Sequence, residues 1–270
     1  MKQIIPILTI VLYLAAAAMA AIRLFRPEIL PRLSRSIVIQ VGFAALLLHA
    51  LILYQTIVAE DGLNLAFFQA LSLAGWLIAL VIMLSSLTKP AENLTVFLFP
   101  PIALAVAACC IFATDSTRLL NASSGWPLGV HVITSLLAWS LFAIASVQAV
   151  LLWVQDKHLH NRKPGGFIRA LPPLQTMESL LFEFIVAGMI LLTISLASGF
   201  LYLHDMFAQH LVHKTILSTI AWILFAILIW GRYRYGWRGR IALRWTLIGF
   251  VVLGLAYFGS KAVVELIIQS

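Results

Sequence analysis

The chain has 270 residues, 62% hydrophobic and 10% charged, with a mean hydropathy of +1.02 and a formal net charge of +8. A soluble domain carries about 45–50% apolar and about 25% charged residues, so composition excludes an ordinary globular protein. The net positive charge is not a nucleic-acid signal, because the basic residues sit in short loops beside apolar runs.

A helix crossing the hydrocarbon needs about 20 apolar residues. Eight segments qualify, so the expected fold is all-α: a polytopic membrane protein of eight transmembrane helices. No loop can hold a soluble domain, and residues 1–270 read as a single transmembrane domain. The first span, 3–24, contains Ala-Ala-Met-Ala-Ala, which resembles a signal-peptidase site. Its length and the arginines that close it fit a retained span better. Span two covers 36–58, span three 64–87 and span four 94–113. Span four ends with Cys109 and Cys110, adjacent and without a C-x-x-C or C-x-x-C-H motif, which read as buried small hydrophobes. Span five, 128–155, is long. Spans six, seven and eight cover 178–203, 211–230 and 241–267. The small-residue runs Ala15–Ala18 and Ala103–Ala108 suit close helix packing or are plain apolar filler.

The loops alternate in charge. The first carries Arg23, Arg26, Arg32 and Arg35, the third Lys89, the fifth Lys157, Arg162, Lys163 and Arg169, and the seventh Arg232, Arg234, Arg238 and Arg240. Arg118 and Lys214 are the only basic residues in the even loops, which hold Glu60, Asp61, Asp115 and Asp205. The positive-inside rule then puts the odd loops in the cytoplasm and both termini on the periplasmic or outer side of a bacterial inner membrane.

On that orientation five of the seven histidines, His49, His131, His204, His210 and His213, lie at or near the outer side. Imidazole is costly in lipid and is the commonest metal-ligating side chain. His49 sits inside span two, roughly 20 Å from its inner end, and either faces a functional interior or bonds a neighbouring helix. His131 opens span five, His204 closes span six, and His210 and His213 open span seven on one helix face. Taken singly, each reads as a solvated interfacial histidine. Together, two facing helix ends could clamp an iron porphyrin with one imidazole from each. Zinc fits less well, because its usual ligand spacings are absent. His158 and His160 lie among basic residues and read as solvated.

Glu178 and Glu183 near the start of span six read as partners of Arg169 or Arg162 at the interface. The aromatic and basic run from Arg232 to Arg240 reads as an anchor against anionic lipid. No Gly-rich phosphate loop, nucleophile elbow or H-E-x-x-H occurs, so nothing points to ATP use or hydrolysis.

Two stretches resemble the cytochrome c assembly family, the CcsA/CcmC/HemX-like membrane proteins, and are most similar to its small bacterial inner-membrane branch of YpjD-type or HemX-like proteins. One is His131-Val132-Ile133-Thr134-Ser135-Leu136-Leu137-Ala138-Trp139. The other is Leu191-Leu192-Thr193-Ile194-Ser195-Leu196-Ala197-Ser198-Gly199, followed in order by Lys214-Thr215, Thr219-Ile220-Ala221-Trp222, Gly236-Trp237-Arg238-Gly239 and Tyr257-Phe258-Gly259. The similarity covers roughly residues 128–262. It implies a haem-binding, non-catalytic role in cytochrome c assembly or haem trafficking, with His131 as an iron ligand. Membrane lipids, haem and other assembly or membrane proteins are the implied partners, with no nucleic acid.

The chain departs from the family pattern in three places. The tryptophan-rich external loop is replaced by Tyr202-Leu203-His204-Asp205-Met206-Phe207-Ala208-Gln209-His210. The tail after the last helix lacks a histidine, and Trp230-Gly231-Arg232 stands where an inner histidine is expected. His204 or His213 would then oppose His131, with His49 as a deeper ligand or relay point. Binding or moving non-covalent b-type haem, or supporting another haem enzyme, suits these residues better than direct delivery to apocytochrome. A transporter or permease is the alternative, although no internal repeat supports it. An accessory subunit of a membrane complex is another.

The orientation has a direct test. Alkaline phosphatase fused after Ser270 should be active and a green fluorescent protein fused there dark, with both results reversed for fusions after His160. Fluorescence from the C-terminal fusion overturns the assignment.

Overall fold

The computed structural model describes residues 4–26, 28–30, 32–59, 62–112, 119–121, 125–160, 170–202 and 209–259. Among them, eight helices are long and apolar enough to cross a membrane. They are α1 (Ile4–Phe25), α2 (Arg35–Ile57), α3 (Phe67–Thr88), α4 (Thr95–Ile111), α5 (Gly125–His160), α6 (Leu174–Tyr202), α7 (Gln209–Tyr235) and α8 (Arg240–Gly254). A short 3-10 turn, Glu92–Leu94, leads into α4, and a π-helical turn, Leu255–Gly259, continues α8. His204, Arg162, Lys163, Arg169 and the tail from residue 260 lie outside the described residues.

In keeping with the long fifth span, helix α5 has 36 residues, about 54 Å at 1.5 Å each, well beyond the ~30 Å of hydrocarbon. One feature departs from the sequence expectation: short strands lie between spans two and three. Here β1 (Val58–Ala59), β2 (Gly62–Asn64) and β3 (Leu119–Asn121) make a small antiparallel sheet in the order β1-β2-β3. Ala59 pairs with Gly62, and Gly62 with Asn121.

The chain divides into two compact units, residues 1–122 with 158–173, and residues 123–157 with 174–270. In the first unit the helices neighbour each other in a ring, α1 against α2 and α4, and α3 against α2 and α4. Small residues permit this closeness: Ala16, Ala17 and Ala20 of α1 and Ala103 and Ala105 of α4 are buried. Polar ties hold the ends. Arg35 of α2 donates to the carbonyls of Ser86 and Lys89 at the end of α3, both at 2.6 Å. Its Nε also lies 3.1 Å from Glu92. A cation on the last carbonyls of a helix satisfies groups that the helix itself leaves open. Trp76 of α3 donates to the Leu46 carbonyl of α2 at 3.0 Å.

In the second unit α5 is the buried member. Its Phe142 stacks on Phe225 of α7 with ring centroids 3.7 Å apart. Glycines flank the pair: a Cβ on Gly188 of α6 would come within 3.0 Å of Phe142, and one on Gly249 of α8 within 2.8 Å of Phe225. This layer joins all four helices, and the two missing side chains are what leave room for the rings. Gln148 of α5 also donates to the Met177 carbonyl of α6 at 2.9 Å.

Overpacking a filled layer costs about 1–3 kcal/mol. Gly249→Val should therefore lower the melting temperature of the detergent-solubilised protein, whereas Gly129→Val, where no atom lies within 4 Å of an added Cβ, should not. Equal melting of the two variants contradicts the layer's role.

Candidate functional site

His131 lies near the start of α5, where that span begins at Gly129, and is half-buried. Its Nδ1 is 2.9 Å from the carbonyl oxygen of Ser195 on α6. A carbonyl only accepts, so Nδ1 carries the proton and Nε2 holds the free lone pair. Ser198, one turn along α6, donates its hydroxyl to the same carbonyl at 2.9 Å and lies 3.4 Å from Nδ1. Among the described residues, nothing bonds Nε2. An imidazole anchored through Nδ1–H to a carbonyl, with Nε2 open, is the usual state of a metal-ligating histidine. Ser195 and Ser198 belong to the stretch whose family resemblance was noted, but their polar role needed the fold to be seen. Their i, i+3 spacing was the available signal.

The other histidines are placed differently. His213 is exposed on α7, and among the described residues no hydrogen bond joins it to His131. His204 lies outside the described residues, and only the backbone of His210 is described. His158 and His160 are exposed.

His49 belongs to the first unit and is fully buried. One ring nitrogen meets the Tyr13 hydroxyl of α1 at 3.1 Å, the other the Ser72 hydroxyl of α3 at 2.9 Å. This is a histidine bonded to two neighbouring helices. Tyr13 packs edge-on against both His49 and Phe99. Of the cysteines, Cys109 is buried, 4.0 Å from the Thr56 hydroxyl, and Cys110 is exposed. The expectation that both are buried fails because consecutive helical residues point about 100° apart.

Among the described residues, no three His, Cys, Asp or Glu side chains come together as a metal-binding group. His131 thus presents a single open imidazole nitrogen, able to serve as one ligand to a metal centre.

At the opposite end of the second unit, Glu178 of α6 is buried against Arg232 of α7, which also lies over the Phe182 ring at 4.7 Å. Arg238 approaches the same carboxylate oxygen at 3.8 Å. Arg169 and Arg162, the partners expected from the sequence, lie outside the described residues. Among the described residues Arg232 and Arg238 meet Glu178, because Gly236 and Gly239, at φ +67° and +57°, turn the chain back after α7. Trp237 then folds over Gly231, where a Cβ would come within 2.3 Å of its ring. Trp139 of α5 sits against Phe250 and Phe258, and its buried indole N–H has no partner among the described residues.

Residues 38–268, most of the chain, match the family described as cytochrome C assembly protein. The chain belongs to that family. The inner membrane protein YpjD of Escherichia coli K12 is 32% identical over 226 residues, covering 83% of this chain and 84% of that protein. The cytochrome c biogenesis protein CcsA of Chlamydomonas reinhardtii is 24% identical over 210 residues, covering 73% of this chain and 58% of that protein. Protein HemX of Brevibacillus brevis is 21% identical over 131 residues, 48% of each chain. No solved structure matches. With eight apolar spans and a relative named for the inner membrane, this member of the cytochrome c assembly family is a multi-pass inner-membrane protein.

Interhelical hydrogen bonds in membranes contribute about 0.6 kcal/mol on average and up to about 1.7. Tyr13→Phe and Ser72→Ala should each destabilise by amounts in that range, and His49→Leu by more, because it strips a partner from both hydroxyls. Urea or thermal unfolding in detergent measures this. A His49→Leu protein as stable as wild type contradicts the network.

Proposed function

We propose that this protein is a non-catalytic haem-binding factor of cytochrome c assembly or haem trafficking. The single observation that carries the reading is the His131 imidazole, tied through Nδ1 to the Ser195 carbonyl, with Nε2 open. The family membership and the relatives named for cytochrome c biogenesis support it.

His131 is the proposed iron ligand on one side. His213, near the start of α7, or His204, which follows α6 in the sequence, supplies the other. Both nitrogens of His49 are already engaged, so its proposed part is to tie helices together rather than to ligate iron. The haem is non-covalent and b-type, because the chain has no C-x-x-C-H. Bound haem would supply an iron centre to be carried or passed on. The work of this chain's own residues is to hold the His131 ring in one tautomer and to give the porphyrin an apolar surround. The tryptophan-rich external loop of the family pattern is missing from this sequence. We therefore assign this protein to holding or moving haem rather than to attaching it.

Absorption spectra of the detergent-purified protein, oxidised and reduced, provide the test. Wild type should show a Soret band and sharp reduced α and β bands. His131→Ala should lose the low-spin bands and bind added hemin at least about tenfold more weakly, the cost of losing about 1.4 kcal/mol of ligation. Unchanged bands in His131→Ala, or no haem uptake by wild type, overturn the proposal.

A further inference from the structure

The Ser195 carbonyl that holds His131 is shared. Inside α6 it faces the Gly199 amide four residues on, the ordinary helical donor. The Ser198 hydroxyl donates to it at 2.9 Å, and the His131 Nδ1–H reaches it from α5, also at 2.9 Å. A carbonyl oxygen has two lone pairs, so three donors compete for two acceptor positions. The amide is fixed by the helix backbone and the imidazole by the packing of α5 on α6. The hydroxyl is the donor that turns about a single bond. Ser195 is 3% and Ser198 9% exposed, so solvent does little to relieve the crowding.

A serine hydroxyl turned back onto a carbonyl of its own helix is common and by itself satisfies only the serine. Here the same carbonyl also carries an interhelical N–H, so the two bonds draw on one oxygen. The Ser198 Oγ lies 3.4 Å from Nδ1 and the Ser195 Oγ 3.5 Å. Both are too distant to take the proton from an oxygen at 2.9 Å. The strength of the bond to the Ser195 carbonyl therefore sets how much negative charge the ring carries, and with it how strongly Nε2 donates.

We infer that Ser198 is a positioning residue that moderates the donor strength of His131. Its hydroxyl draws on the Ser195 carbonyl, weakens the Nδ1–H bond and keeps the ring close to a neutral imidazole. The consequence for iron rests on the proposed ligation of haem by His131, whereas the hydrogen-bond competition does not. Without the hydroxyl the carbonyl turns more fully to the imidazole. The ring gains imidazolate character and favours ferric over ferrous iron, which carries the smaller charge. For a chain that holds or moves haem, a moderated ligand keeps ferric iron easier to release.

Two readouts test this on the full chain in detergent. The first needs no haem: the Nδ1–H proton resonance of His131 in protein with isotope-labelled histidine, assigned by its loss in His131→Ala. Ser198→Ala should move it downfield, as a stronger hydrogen bond does. Ser198→Cys, close in shape but a weak donor, should move it part-way. The second is a potentiometric titration after loading with hemin. Ser198→Ala should favour ferric over ferrous haem about threefold more than wild type, a fraction of one hydrogen bond. That is a midpoint potential lower by roughly 30 mV, at about 59 mV per decade. An unmoved or upfield resonance overturns the inference, and so does a potential that stays or rises in the loaded variant. If wild type takes up no haem, the proposed function falls and the resonance alone decides. If Ser198→Ala does not fold, Ser198→Cys against wild type carries both readouts.

Discussion

Hydrocarbon offers a polar side chain nothing to bond except another part of the protein, and this constraint organises both helical units. Every intramembrane histidine and glutamate whose side chain is described and buried is tied to a different helix: His49 to α1 and α3, Glu178 to α7. Half-buried His131 is tied to α6 in the same way. Arg35 similarly closes the end of α3 from α2. Each bond is worth little by itself, because the alternative in a membrane is often another partner rather than none. Their value lies in specificity. An apolar face tolerates rotation and sliding against a neighbour, and a buried donor facing one acceptor does not.

Van der Waals packing then supplies the bulk of the helix association, and glycine and alanine decide how close the backbones come. The layer Gly188, Phe142, Phe225 and Gly249 illustrates the balance. Two large rings fit across four helices only because the positions outside them carry no side chain. The same logic places Trp237 over Gly231 and, through two left-handed glycines, swings Arg238 back towards Glu178.

These two kinds of contact meet at His131. The helical register of α5 and α6 aligns an imidazole with the Ser195 carbonyl, and that one bond sets which nitrogen holds the proton. The ring's remaining lone pair is the chemical capacity that a haem-handling member of the cytochrome c assembly family would use. The chemistry asked of the chain is modest. In the proposed role it is to hold the His131 ring still through the Ser195 carbonyl.

The sequence by itself determined the class, the eight spans and the family, because apolar length and ordered short motifs are local properties that survive without coordinates. It also marked His131 and the seventh-loop arginines as residues of interest. It did not reveal Arg232 and Arg238 as partners of Glu178, and it overlooked the three short strands. It left His49 open between two roles, and it treated Cys109 and Cys110 alike. Each of these turns on which helices are neighbours and how each is rotated, quantities that depend on contacts between residues far apart in the chain. Tertiary structure alone decided that Tyr13 and Ser72 occupy both nitrogens of His49, that Ser195 sets the tautomer of His131, and that Glu178 meets Arg232. Hydropathy fixes how deep a residue sits, but helix rotation and register decide what it touches there.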